Sequence, residues 1–108
     1  MNIIDTASLA AGASINVLQG KQYEFLPFDS QTAIALNGSA AGLVVTVYAG
    51  SDLVQQEGPA LPLNRFAVWP DDFMINVPIA QGTRLSVTVR NTTAGALTWF
   101  FTARLQQL

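Results

Sequence analysis

The sequence predicts an all-β chain folded as a single-domain, two-sheet antiparallel sandwich of the jelly-roll or Greek-key type, and three observations carry that prediction. Apolar and polar residues alternate with period two over short runs rich in β-branched and aromatic side chains. Gly, Asn, Asp or Pro breaks these runs roughly every 8–12 residues, the rhythm of strands joined by turns. At 108 residues the chain has room for one hydrophobic core and no more.

Taken in order, residues 1–12 read as an N-terminal arm ahead of a sandwich domain at 13–108. The apolar start is also compatible with a short helical turn at Ser8-Leu9-Ala10-Ala11, which Gly12 would end. Short strands follow at 14–18 around Ile15 and Val17, at 22–26 around Tyr23 and Phe25, and at 32–36 around Ile34 and Leu36. The run 43–49 sets Leu43, Val45, Val47 and Ala49 on one face against Val44, Thr46 and Tyr48 on the other, both largely apolar. A turn at Gly50-Ser51 leads to a strand at 52–56. Pro59 and Pro62 mark 57–64 as a crossing loop, because proline cannot donate to a central ladder.

Strands at 65–69 and 73–79 come next, and then the clearest pattern in the chain. Leu85, Val87 and Val89 alternate with Ser86, Thr88 and Arg90. The small polar run 91–96 reads as a turn, and 97–105 as the returning partner of a hairpin. That last strand places Leu97, Trp99, Phe101, Ala103 and Leu105 on one face, and Thr98, Phe100, Thr102 and Arg104 on the other. Apolar residues therefore lie on both of its faces, and something must cover the outer one.

Composition narrows the function. Charged residues make up 11% of the chain, against roughly 25% in an ordinary soluble domain, while 50% of residues are hydrophobic. So neutral a surface on so small a domain points to coverage by another chain. The five cations are scattered singly and the net charge is −2, which argues against nucleic-acid binding. No apolar run reaches the length of about 20 residues that spans a bilayer, so no membrane partner is expected. The start, MNIIDTASLAAGA, lacks the basic beginning and sustained apolar run of a secretory signal, and synthesis in the cytoplasm is the expectation.

The chain contains no His and no Cys. Without them it has no Ser-His-Asp or Cys-His dyad, no thiolate nucleophile and no His- or Cys-ligated metal. Carboxylates are what remains: Asp71-Asp72, Asp52 with Glu57, and Glu24 with Asp29. Nothing in their spacing sets two acids across a cleft, and Asp71-Asp72 after Pro70 matches ordinary turn chemistry. No catalytic residue, cofactor or metal site is expected. Asn37-Gly38-Ser39 and Asn91-Thr92-Thr93 fit the glycosylation pattern and read as turns.

The candidate contact residues are Val44, Tyr48, Phe66, Trp69 and Phe100, since large rings and branched side chains remove much area from water at small entropic cost. For Phe66, Trp69 and Phe73 the alternative is that they plug one end of the sandwich.

The run VPIAQGTRLSVTVRNTTAGALTWFFTARL, with its Gly-containing turn, alternating strand, small-residue turn and aromatic return strand, resembles the terminal hairpin of small β-sandwich proteins of tailed-bacteriophage virions, namely capsid decoration (cement) proteins and related head or tail accessory proteins. The resemblance covers about the last third of the chain. It implies a non-enzymatic structural protein of the virion, made in the host cytoplasm. It also implies a homo-oligomer, often a trimer, that docks on or stabilises the capsid through the major capsid protein or other virion proteins. A rival expectation is a carbohydrate- or receptor-binding sandwich module, with Trp69 as the stacking ring and Asp71, Asp72 and Asn76 as its polar neighbours.

Overall fold

A computed structural model describes residues 2–20, 24–68, 72–73 and 75–108. Eight strands run in chain order: β1 (Asn2–Leu9), β2 (Ser14–Asn16), β3 (Ser30–Gly38), β4 (Leu43–Ala49), β5 (Asp52–Pro59), β6 (Ile75–Ile79), β7 (Leu85–Asn91) and β8 (Leu97–Gln107). Among the described residues there is no helix. Four strands in the order β1-β8-β3-β6 form one antiparallel sheet, here called sheet A, and the order β2-β7-β4-β5 forms sheet B. The pairs β1 with β8, β2 with β7, β3 with β6 and β4 with β5 are nested one inside the next. That nesting, divided between two packed sheets, is the jelly roll, in which two Greek keys close around one core.

Alternation decides what enters the core. Trp99, Phe101, Ala103 and Leu105 of β8, with Ile34 and Leu36 of β3, face Leu43, Val45 and Val47 of β4 and Leu85, Val87 and Val89 of β7, and all are buried. Leu18, Leu26, Ile75 and Ile79 belong to the same buried cluster. Burial of a side chain such as Phe101, at 0% exposure, contributes about 1.5–3 kcal/mol.

The structure departs from the expected hairpin. β7 pairs with β2 and β4 in sheet B, whereas β8 pairs with β1 and β3 in sheet A, so the two consecutive strands never pair with each other. The reason lies in their apolar rows. A hairpin would lay both rows side by side on one sheet, while the sandwich sets them face to face across the core. The link from 92 to 96 is long enough to cross between sheets that pack about 10 Å apart, as a two-residue hairpin loop is not. Asn91 holds this arch together. It is fully buried, its Nδ2 donates to the Leu9 and Gly95 carbonyls at 3.0 and 2.9 Å, and its Oδ1 accepts from the Thr93 amide and hydroxyl. The Thr92 amide and hydroxyl both donate to the Gly42 carbonyl, and Gly42, at φ +124°, adopts a backbone conformation that disfavours a Cβ.

Further expectations change, among them the start of the crossing loop, since edge strand β5 runs on through Glu57, Gly58 and Pro59. Residues 2–9, read as part of an arm or a helical turn, form edge strand β1, paired along its whole length with β8; Leu9 is buried, and the turn at 10–13 passes to sheet B. The strand expected at 22–26 is reduced, in its described part, to a single bridge between Phe25 and Arg84. The segment 65–68 is not a strand. Short bonds from the Leu63 amide to the Leu61 carbonyl and from the Arg65 amide to the Leu63 carbonyl fold the chain into tight three-residue turns instead.

Candidate interaction surfaces

The crossing segment that follows β5 joins the free edge of β3 through a parallel bridge between Leu61 and Asn37, and then turns over the outer face of sheet A at Arg65 and Phe66. It docks through its backbone first: the Gly38 amide donates to the Leu61 carbonyl at 2.8 Å, and the Leu61 amide donates to the Leu36 carbonyl. Asn37, fully buried on the outer face of β3 opposite Phe100, donates from Nδ2 to the Arg65 carbonyl at 2.9 Å. Ala33 and Ala35, the next outer-face residues of β3, are buried as well, and their small size leaves room for a covering layer.

An ion pair locks the segment. Arg65 Nη1 donates to Asp72 Oδ2 at 2.6 Å, and the Val68 amide donates to the same oxygen at 2.9 Å. The Val68 amide and then the Arg65 guanidinium hold the Asp72 carboxyl below its ordinary range, because both favour the charged form. Phe66 stands edge-on to Phe100, with ring centroids 5.2 Å apart and planes at 78°, a favourable aromatic geometry. The outer face of β8 is thus partly covered by the chain's own loop.

Beside this contact an open groove of about 390 Å³ runs between β1, β8 and the covering segment. Ile4, Phe66, Ala67 and Phe73 supply its apolar lining, with Asn2, Thr102 and Arg104 as polar members. The Thr102 hydroxyl is buried without a hydrogen-bond partner, as are Asn37 Oδ1 and Trp99 Nε1 in their own surroundings.

The outer face of sheet B is built differently. Tyr48, 40% exposed, lies directly opposite Leu53 of β5, itself 47% exposed, and on its other side opposite Ser86 of β7. Val44, half-buried, lies opposite Pro59 and Arg90. Arg90 reaches across β4 to form a forked pair with Glu57, its Nε and Nη2 donating at 2.8–3.0 Å. Both partners are about half exposed, so the pair is worth little on its own.

The structure therefore brings Phe66 and Phe100 together on sheet A, and places Val44 and Tyr48 together on the opposite side of the molecule. Trp69 and Asp71 lie outside the described residues. Leu53 and Ile4 are surface apolar residues that the sequence reading did not single out. Leu53 becomes legible once the β4–β5 register sets it against Tyr48, and Ile4 once 2–9 is read as a strand.

Of the acids considered as chemical groups, Glu24, Asp29, Glu57 and Asp72 are engaged. Glu24 Oε2 accepts from Arg84 Nε at 2.7 Å and its Oε1 accepts from the Gly20 amide, which together hold its carboxyl below the ordinary range. Asp29 accepts from the Gln81 amide at 2.8 Å, and Asn76 Oδ1 accepts from Gln31 Nε2 at 2.7 Å. Among the described residues no three acids converge on a common point. Comparison with protein-family models, with curated proteins and with solved structures gave no match.

Proposed function

We propose that this chain is a non-enzymatic structural protein of a phage virion that self-associates and docks on the capsid. The observation that carries the reading is a jelly roll of very low charge that leaves large apolar side chains on its surface: Ile4, Ile15, Phe25, Tyr48, Leu53 and Val68 are all at least 40% exposed. Such surface is a liability on a lone monomer and an asset on a subunit. The fold itself is shared by capsid and lectin domains, so it supports assembly and sugar binding alike and selects neither. The bare apolar pair Tyr48 and Leu53, with Val44 beside them, is the surface offered to the capsid.

The test is the solution mass by light scattering over a wide concentration range, followed by co-sedimentation with tailed-phage capsids that lack accessory proteins. A defined oligomer that saturates capsids at fixed stoichiometry, and loses capsid binding in Tyr48→Glu, is expected. A monomer at high concentration that never co-sediments overturns the reading.

One observation favours the sugar-binding alternative: the groove on sheet A carries Phe66 and Phe73 beside Asn2 and Arg104, and two of its lining residues, Ala67 and Phe73, flank Trp69 in sequence. Saturable glycan binding abolished by Phe66→Ala and Phe73→Ala, without capsid binding, would establish it instead.

A further inference from the structure

We propose that two copies of this chain join edge to edge through β1, antiparallel, with Ile4 on the two-fold axis, so that the two A sheets become one. The inference names a surface for the assembly proposed above and rests on that reading. It starts from the four sheet edges. An open edge is a template for pairing, and proteins guard it with short length, proline, bulges or charge. β2 has three residues, β6 carries Pro78, and β5 carries Asp52, Glu57 and Pro59 and pairs with β4 through two register shifts. β1 has eight residues, regular pairing, no proline and a single charge, Asp5, whose carboxylate accepts from the Thr6 amide, and among the described residues no strand lies on its other side.

Which backbone groups of β1 face that open side follows from β8. The Ser39 amide donates to the Thr98 carbonyl and the Leu108 amide donates to the Asp29 carbonyl, so the even-numbered residues of this end of the chain bond towards β3. In an antiparallel ladder the direction alternates, so the odd-numbered residues of β8 bond towards β1. By the observed register these meet Ile3, Asp5, Ala7 and Leu9, which leaves the carbonyls of Asn2, Ile4, Thr6 and Ser8 and the amides of Asn2, Ile4 and Ser8 directed at the open edge, while the Thr6 amide donates to Asp5 Oδ1 at 2.8 Å.

A two-fold axis perpendicular to the sheet restricts the register, because each residue must oppose one on the same face. Centring on Asp5 sets two carboxylates directly opposite each other and is repulsive. Centring on Ile4 opposes Ile4 to Ile4 and Asn2 to Thr6, and Asp5 meets Ile3. This arrangement makes about four hydrogen bonds from open backbone groups, and two more once each Thr6 amide exchanges Asp5 Oδ1 for the partner's Asn2 carbonyl. It also buries the side chain that is 59% exposed in the single chain, where it walls the sheet A groove.

The absence of cysteine makes the test direct. Ile4→Cys and Thr6→Cys are each oxidised with a glutathione redox buffer and the covalent dimer is measured. In the proposed register the two Cα atoms at position 4 lie about 5.5 Å apart, within disulfide range. Those at position 6 lie about 14 Å apart, four residues of offset at about 3.4 Å each. Ile4→Cys is expected to give mostly dimer, with at least tenfold less from Thr6→Cys. Ile4→Lys should weaken self-association at least tenfold while its circular dichroism stays that of the parent. Cross-linking at position 6 in preference to position 4 overturns the register. An oligomer by light scattering that cross-links at neither position overturns the β1 interface and leaves the assembly reading standing. A monomer under every condition overturns both.

Discussion

The two outer faces of this sandwich solve the same problem differently. On sheet A the chain folds its own segment back over Asn37 and Phe100, pins it with backbone bonds to Gly38 and Leu36, and locks it with Arg65 and Asp72. On sheet B, among the described residues, no segment folds over the outer face in this way; Tyr48 and Leu53 are exposed beside an exposed Glu57–Arg90 pair. The difference teaches that an apolar outer face does not by itself announce a partner. The face that looked most in need of one, the outside of β8, is partly covered from within, and the face left open belongs to the other sheet.

Four substitutions and one titration would break or sharpen this contrast. The largest effect is expected from Ala35→Glu, which places a charge at a fully buried position on the outer face of β3: a loss of about 3–5 kcal/mol, or outright unfolding, read from urea denaturation. Thr88→Lys on the outer face of sheet B is the matched control and should stay within about 0.5 kcal/mol. Phe100→Ala removes the ring that Phe66 meets and should cost about 2 kcal/mol in the same assay, below the value for a fully buried phenylalanine because the site is half covered. Equal costs for Phe100→Ala and Thr88→Lys would dissolve the distinction between the faces.

Asp72→Asn should loosen the cover without unfolding the sandwich, and trypsin cleavage after Arg65 should accelerate several-fold. Acid should do the same in the parent chain. The folded-state carboxyl of Asp72 is held below its ordinary value, so its contribution is complete above the unfolded value of about 3.9 and is lost as the pH falls below that towards the folded value. Opening of the segment in that range is best assayed as cleavage at Phe66 by an acid-active protease, against Asp72→Asn, which should show no such pH dependence.

Much of the fold was legible because strand alternation is local. The inner rows of β4, β7 and β8 were read correctly from period two alone, as was the turn at Gly50-Ser51 that joins β4 to β5. β1 was missed because its polar positions are weak: Asn2, Thr6 and Ser8 face out beside Ile4, and Ala7 and Asp5 dilute the inner row, so the pattern resembles an arm until β8 lies next to it. The candidate surfaces were half legible. Large rings announce themselves by type, but whether Phe100 meets solvent or Phe66 depends on a segment more than thirty residues away in sequence.

The sequence by itself determined that this chain is all-β, that it has one core, and that it holds neither His nor Cys, because composition and side-chain period act residue by residue. Tertiary contacts alone put β7 and β8 in different sheets, lay the post-β5 segment over part of sheet A, and make β1 a long, regularly paired edge. Those outcomes depend on which strand becomes whose neighbour. That choice is made by burying whole apolar rows against each other across the core, which no local pattern records.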